Sequence, residues 1–237
     1  MPYLALIRHG QSQWNLDNRF TGWVDVNLTA EGEAQARRSG ELLKASGVAF
    51  DKLYTSVQTR AIRTGTLAID AMGEAWLPVV KDWRLNERHY GGLTGLDKKE
   101  TAEKHGEEQV LVWRRSYDIP PPVLEAGSEF DLSKDRRYAG IAVPGTESLK
   151  DTLARVLPYW EATIAPELKS GRNLMIAAHG NSLRAIVKLL FNVPDDKIVG
   201  VEIPTGNPLL LDLDGALHVK AARYLDEARA QSIPAVA

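Results

Sequence analysis

The chain of 237 residues contains no cysteine, which excludes a disulfide framework, a thiolate nucleophile and any cysteine-bearing zinc site. It also lacks an excess of charge. With 29 basic and 31 acidic residues the formal net charge is -2, so no overall basic field draws the chain to nucleic acid. Affinity for anions must come from local clusters of arginine. Long hydrophobic runs are missing as well: Lys188 interrupts the best stretch, "LRAIVKLLF", and "MPYLALIRHG" is too short and lacks the basic leader of a signal peptide. The expectation is a cytoplasmic protein without membrane contact. There is no HExxH, Walker loop or dinucleotide fingerprint, and "GGLTG" lacks the strand-then-helix setting such a fingerprint needs. No repeat, low-complexity tract or linker divides the chain, and its length suits one domain over residues 1–237.

What is present is an alternation of strand and helix patterns, which predicts an α/β three-layer sandwich with a mostly parallel central sheet flanked by helices. Tyr3 to Ile7 reads as a buried strand, followed by a helix from Thr29, its N-cap, to Ser46, with Gly47 as the stop. "FDKLYTS" leads as a strand into the helix "VQTRAIRTGTLAIDAMG". From Thr146 to Lys169, Leu149, Leu153, Val156, Leu157, Trp160, Ile164 and Leu168 form one apolar face, with a kink expected at Pro158. Asn173 to Ala178 is a strand, a helix follows from about Ser182 to Phe191, and "PLLLDLD" and "LHVKAARYL" form a late hairpin turning at Asp214 and Gly215. Residues 118 to 145, rich in proline, glycine and charge, read as a long irregular insertion or lid, and the tail after Leu225 has little to bury.

Two strand patterns end alike, "YLALIRHGQS" at His9-Gly10 and "NLMIAAHGNS" at His179-Gly180. In an open parallel sheet, ligands bind beyond the carboxyl ends of strands, where glycine lets the backbone turn and come close. A lone histidine is usually packed or solvated; two in one strand-end setting point to a shared site. Arg8 beside His9, Arg60 after "YTS" and the doublet Arg114-Arg115 supply guanidinium forks that match phosphate or carboxylate oxygens. A metal held by His9, His179 and Glu87 is disfavoured by the neighbouring arginines. His105 at a helix end and His218 in a terminal strand are expected to be structural or solvated, and Trp14, Trp23 and Trp113 lie near motif residues where packing is the ordinary role.

The stretches "LIRHGQSQWN", "RFTGWVDVNLTAEG", "YTSVQTRAIRT", "WRLNERHYGGLTGLDKKETAEKHGEEQV", "WRR" and "MIAAHGNSLRA" resemble the 2,3-bisphosphoglycerate-dependent phosphoglycerate mutases of the histidine phosphatase superfamily. The likeness runs from about residue 3 to 226 and thins within 125 to 142. Arg-His-Gly alone marks the superfamily, whereas "LNERHYGGLTGL", Lys98, the arginine doublet and "AAHGNSLRA" are much more specific to the mutases.

The resemblance implies a phosphoglycerate mutase-like fold and interconversion of 3- and 2-phosphoglycerate in glycolysis and gluconeogenesis. It implies a phosphohistidine primed by 2,3-bisphosphoglycerate, no metal, and a homo-oligomer, either dimer or tetramer. His9 would be the nucleophile, with Arg8, Arg60 and His179 around the phosphoryl group and Glu87 as proton donor and acceptor. Gly10, Gln11, Ser12, Gln13, Trp14, Asn15, Thr21, Gly22, Arg88, His89, Tyr90, Lys98, Arg114, Arg115, Gly180 and Asn181 would line the substrate pocket. Two features depart from the pattern: Gln11 replaces the usual glutamate, and the tail is short and lacks the lysine- and glycine-bearing extension that covers the site in many members. The alternatives are a histidine phosphatase acting on a small phosphorylated metabolite and a non-catalytic module that holds a phosphorylated ligand.

Overall fold

The computed structural model describes residues 1–235. In chain order the elements are β1 (Tyr3–Arg8), α1 (Gln13–Leu16), α2 (Ala30–Ala45), β2 (Lys52–Thr55), α3 (Thr59–Met72), β3 (Val79–Lys81), α4 (Lys98–His105), α5 (Glu107–Arg115), α6 (Leu149–Tyr159), α7 (Ala165–Lys169), β4 (Leu174–Ala178), α8 (Gly180–Leu190), β5 (Leu209–Leu213) and β6 (Val219–Tyr224). Six strands form one sheet in the order β3-β2-β4-β1-β5-β6. The pairs β3/β2, β2/β4 and β4/β1 are parallel, and β5 runs antiparallel to both its neighbours. The expected three-layer, mostly parallel architecture is therefore present.

The continuous apolar character of the strands follows from burial on both faces. Leu4, Leu6, Leu174, Ile176, Leu209 and Leu211 point to one face, against Val156 of α6 and Ile186 of α8. Ala5, Ile7, Leu53, Met175 and Ala177 point to the other, against Leu43 of α2 and Ile69 and Met72 of α3. Each fully buried leucine or isoleucine contributes about 1.5–3 kcal/mol, so the register of these strands is strongly held. A one-residue slip would turn every such side chain to the wrong layer.

Local chemistry sets the boundaries. Thr29 Oγ1 accepts from Gly32 N at the start of α2, while Glu31 and Glu33 sit in its first turn where the dipole favours them. The helix expected across residues 146 to 169 is continuous but not uniform: a π turn at Trp160–Ile164 joins α6 to α7 just beyond Pro158. Pro158 leaves Ala154 O without its helical donor, Pro166 likewise offers no amide at the start of α7, and the π turn lies between the two prolines. α8 starts at Gly180, two residues earlier than its pattern suggests, with His179 as N-cap residue. The late hairpin forms as expected, its turn held by Asp214, which accepts from Ala216 N and His218 N.

Residues 118 to 145 contain one short 3-10 turn, Arg136–Tyr138, and are otherwise irregular. They are tied down through Tyr138, which is buried against Trp23 and accepts a hydrogen bond from Asn86 Nδ2. Among the described residues no helix is long and apolar enough to cross a membrane.

Candidate active site

β1 and β4 lie side by side at the middle of the sheet, with Arg8 in register with Ala178. From β1 the chain crosses to β2 on one side, and from β4 it crosses to β5 on the other, so the gap between them is a topological switch point. The carboxyl ends of these two strands deliver both histidines to that gap. Their rings stand 5.0 Å apart between centroids.

The His9 ring is almost fully buried, and its Nδ1 lies 2.7 Å from the carbonyl oxygen of Gly10. A carbonyl only accepts, so Nδ1 carries the proton and donates, which leaves Nε2 with a bare lone pair. Burial, then Arg60, then Arg8 hold the His9 pKa well below its usual value, and the ring is neutral at pH 7. His179 is held low by the same burial and by Arg60. Its Nε2 lies 2.7 Å from Ser56 Oγ, which itself accepts from Gln58 N. With the Ser56 hydroxyl proton directed at Nε2, the His179 proton sits on Nδ1, a buried atom with no partner among the described residues.

Cations surround the pair. Arg60, 1% exposed, donates to the carbonyls of Gly22 and Val24, and burial pushes its pKa down to about 10. Arg8 donates to Ile203 O while its Nε stays unpaired, as do Nε and Nη1 of Arg88 and Nε of Arg184. Among the described residues none of Arg8, Arg60, Arg88, Arg114 or Arg184 has a carboxylate within 4 Å. Buried guanidinium groups left without counter-ions call for an anion.

One carboxylate does stand among them. Glu87 Oε1 accepts from the amides of Arg88 and Asn181, the latter in the first turn of α8, and Gln58 Oε1 accepts from Glu87 N. Its Oε2 has no hydrogen bond among the described residues. A Cβ on Gly180 would sit 3.5 Å from Arg8 Nε and 3.7 Å from Glu87 Oε2, so glycine there keeps open the space between cation and carboxylate.

The cleft beside these groups has two lobes that share Arg8, Glu87, Tyr90 and Arg114, with the His179 and Arg88 side chains buried behind its wall. The inner lobe, about 90 Å³, adds His9, Asn15, Thr21, Gly22, Arg60 and Lys98; the outer, about 100 Å³, adds Arg115, Gly180 and Asn181. Both suit a small ligand. Burial lowers the Lys98 pKa, and Arg88, stacked under the Tyr90 ring at 4.7 Å, brings the Tyr90 phenol below its ordinary value although burial opposes that.

The remaining sequence candidates stand elsewhere. Gly10 packs against the backbone of Gly32, Gln11 Oε1 accepts from Thr29 Oγ1, and Ser12 caps α1. Gln13 bonds Asp17 at the surface, while Trp14 lies under Arg19 and edge-on to Phe130. The Arg88 guanidinium is fully buried behind Tyr90 and donates to Arg114 O. His89 accepts from Gly91 N at Nδ1, and burial lowers its pKa to about 4. None of these seven lines the cleft. His105 packs edge-on to Trp113, His218 pairs with Asp214 in the open, and Trp23 is core. No residue of 118 to 145 lines the cleft. Sequence reasoning missed Arg19, Phe20, Arg184, Glu202 and Ile203 in the lining, and Ser56 and Gln58 behind it. Ser56 and Arg184 lay within quoted motifs and were readable; Glu202 and Ile203 carry no local signal.

The sequence model of the histidine phosphatase superfamily (branch 1) matches residues 4–217. The chain belongs to that superfamily. Within it, the chain is 73% identical over 236 residues to a protein of Caulobacter sp. (strain K31) named 2,3-bisphosphoglycerate-dependent phosphoglycerate mutase, with all of both chains covered. A protein of the same name from Sphingopyxis alaskensis is 66% identical, covering 96% of this chain and 100% of that one. Among solved structures, a mycobacterial glucosyl-3-phosphoglycerate phosphatase with VO3 superimposes with a TM-score of 0.71 at 23% identity, covering 94% and 97% of the two chains. Bacillus stearothermophilus YhfR gives 0.70 at 23%, over 93% and 96%. These last two likenesses concern the superfamily fold. Among the described residues no group of three or more histidine or acidic side chains is placed to hold a metal ion.

Proposed function

We propose that the chain interconverts 3-phosphoglycerate and 2-phosphoglycerate through a phosphohistidine at His9, primed by 2,3-bisphosphoglycerate. The observation that carries this reading is the His9 ring itself: neutral, its Nδ1 proton given to Gly10 O, its Nε2 bare among arginines that lack counter-ions. The names of the full-length relatives agree with it. The unpaired donors Arg8 Nε, Arg184 Nε and His179 Nδ1 fit a ligand that carries two phosphates and a carboxylate. When bound, that ligand supplies the phosphoryl group.

The His9 Nε2 lone pair forms the bond to phosphorus as the bond from phosphorus to the ester oxygen breaks, and Glu87 Oε2 delivers a proton to the departing oxygen. In the reverse half, Glu87 takes the proton from the attacking hydroxyl of the glycerate. Arg8, Arg60 and the Nδ1 proton of His179 hold the equatorial oxygens, where losing one donor lowers turnover by about 10²–10³. Lys98, Arg114 and Arg115 grip the carboxylate and second phosphate in either orientation, with Arg88 adding charge from behind Tyr90. Asn15, Thr21, Gly22, Tyr90, Gly180 and Asn181 complete the wall. The setting is the cytoplasm, in glycolysis and gluconeogenesis, as a dimer or tetramer of this chain.

The test is turnover of 3-phosphoglycerate with and without 2,3-bisphosphoglycerate, combined with trapping of labelled phosphoenzyme. Isomerisation that requires priming, and acid-labile label that is absent from His9→Gln, is the expected result. Rapid phosphate release without isomerisation would replace the mutase reading by hydrolysis.

A further inference from the structure

The outer lobe contains a group that does not suit an anion pocket. Glu202 lies in its wall, half-exposed, with its carboxylate 3.5 Å from Arg115 Nη2. Arg115 is thereby the one arginine of the cleft wall whose charge is already answered by a carboxylate among the described residues. The Glu202 backbone is fixed: its carbonyl accepts from Tyr224 OH, and the next carbonyl, Ile203 O, anchors Arg8. The side chain is open to solvent and free to turn away.

We propose that Glu202 is a specificity-determining residue, an internal anion that occupies Arg115 and yields to the far anionic group of the ligand. This rests on the reading of the cleft as a phosphoglycerate site. Its physical basis is competition for one guanidinium together with like-charge repulsion across the outer lobe, both of which grow with the ligand's charge. An anion reaching only the inner lobe, at His9 and Arg60, is indifferent to it. A ligand with phosphates at both ends meets it in full, so Glu202 weakens retention of 2,3-bisphosphoglycerate more than that of a monophosphate and favours its turnover over trapping.

Glu202→Gln keeps the shape and removes the charge at a half-exposed position. Calorimetric titration with 2,3-bisphosphoglycerate and with inorganic phosphate reads the effect as binding alone when both proteins also carry His9→Gln, which removes phosphoryl transfer equally from each. Because exposed pairs are modest, the expected gain in bisphosphate affinity is about three- to fivefold, with phosphate affinity unchanged and a steeper loss of bisphosphate binding with added salt. Asp70→Asn, the same charge change on an exposed carboxylate outside both lobes, is expected to alter neither ligand. Equal gains for both ligands, no gain for either, or the same gain in Asp70→Asn overturns the proposal. Failure of the wild-type protein to form phosphoenzyme would instead strike the mutase reading, and the titrations would still test Glu202.

Discussion

Gly10 and Gly180 follow the two histidines and look equivalent in the sequence, yet they do different things. A Cβ on Gly10 would stand 2.2 Å from the carbonyl oxygen of Gly32, so glycine there lets the turn after β1 touch α2 backbone to backbone. A Cβ on Gly180 meets Arg8 and Glu87 only at ordinary contact distance. Gly10→Ala is accordingly expected to cost about 1–3 kcal/mol in urea denaturation, as overpacking does. Gly180→Ala is expected to keep the wild-type unfolding midpoint while turnover falls, because its methyl group fills space the ligand's oxygens need. Equal midpoints for the two variants would refute the distinction. At this scale the residues that carry charge or a ring were readable, since Arg8, His9 and His179 end apolar strands. The difference between the glycines was not, because it depends on what lies opposite each.

Between elements, the buried pair Arg155–Glu147 ties α6 to the loop that presents Glu87. Arg155 donates to Glu147 and to the carbonyls of Arg84, Asn86 and Glu87, while Glu147 also accepts from His89 N. Removing one partner strands the other in the interior, so Arg155→Met is expected to lose about 3–5 kcal/mol, and Arg155→Met with Glu147→Leu to recover part of it. A double variant no more stable than the single would show that the stranded charge is not the cause. The helical period over residues 146 to 169 marks the apolar face of α6, but an arginine between apolar positions reads as solvated. Its burial comes from the neighbouring loop, whose carbonyls have no other donors to satisfy them.

For the molecule as a whole, the buried neutral histidines set an acid limit. His9 and His179 titrate well below 6.5 and His89 at about 4, all chiefly through burial. The unfolded chain therefore binds more protons than the folded one once pH falls below about 6.5. Their contribution is present in full above that pH and is lost as pH falls toward the folded-state values. Tm is expected to drop between about pH 7 and 5, and His89→Asn, which keeps an acceptor for Gly91 N, to flatten part of that drop. A level Tm over this range would contradict the burial of these rings.

The elements other than α1, β3 and α5, the two buried faces of the strands and the chemistry at the ends of β1 and β4 are properties of the chain alone, because periodicity, caps and turns act over a few residues. Which arginines lack counter-ions, that Ser56 orients His179, and that Glu202 faces Arg115 across the cleft were decided only by the tertiary structure. Electrostatic partners are chosen by distance through space, and the Ser56–His179 and Arg115–Glu202 pairs join segments more than eighty residues apart in the chain.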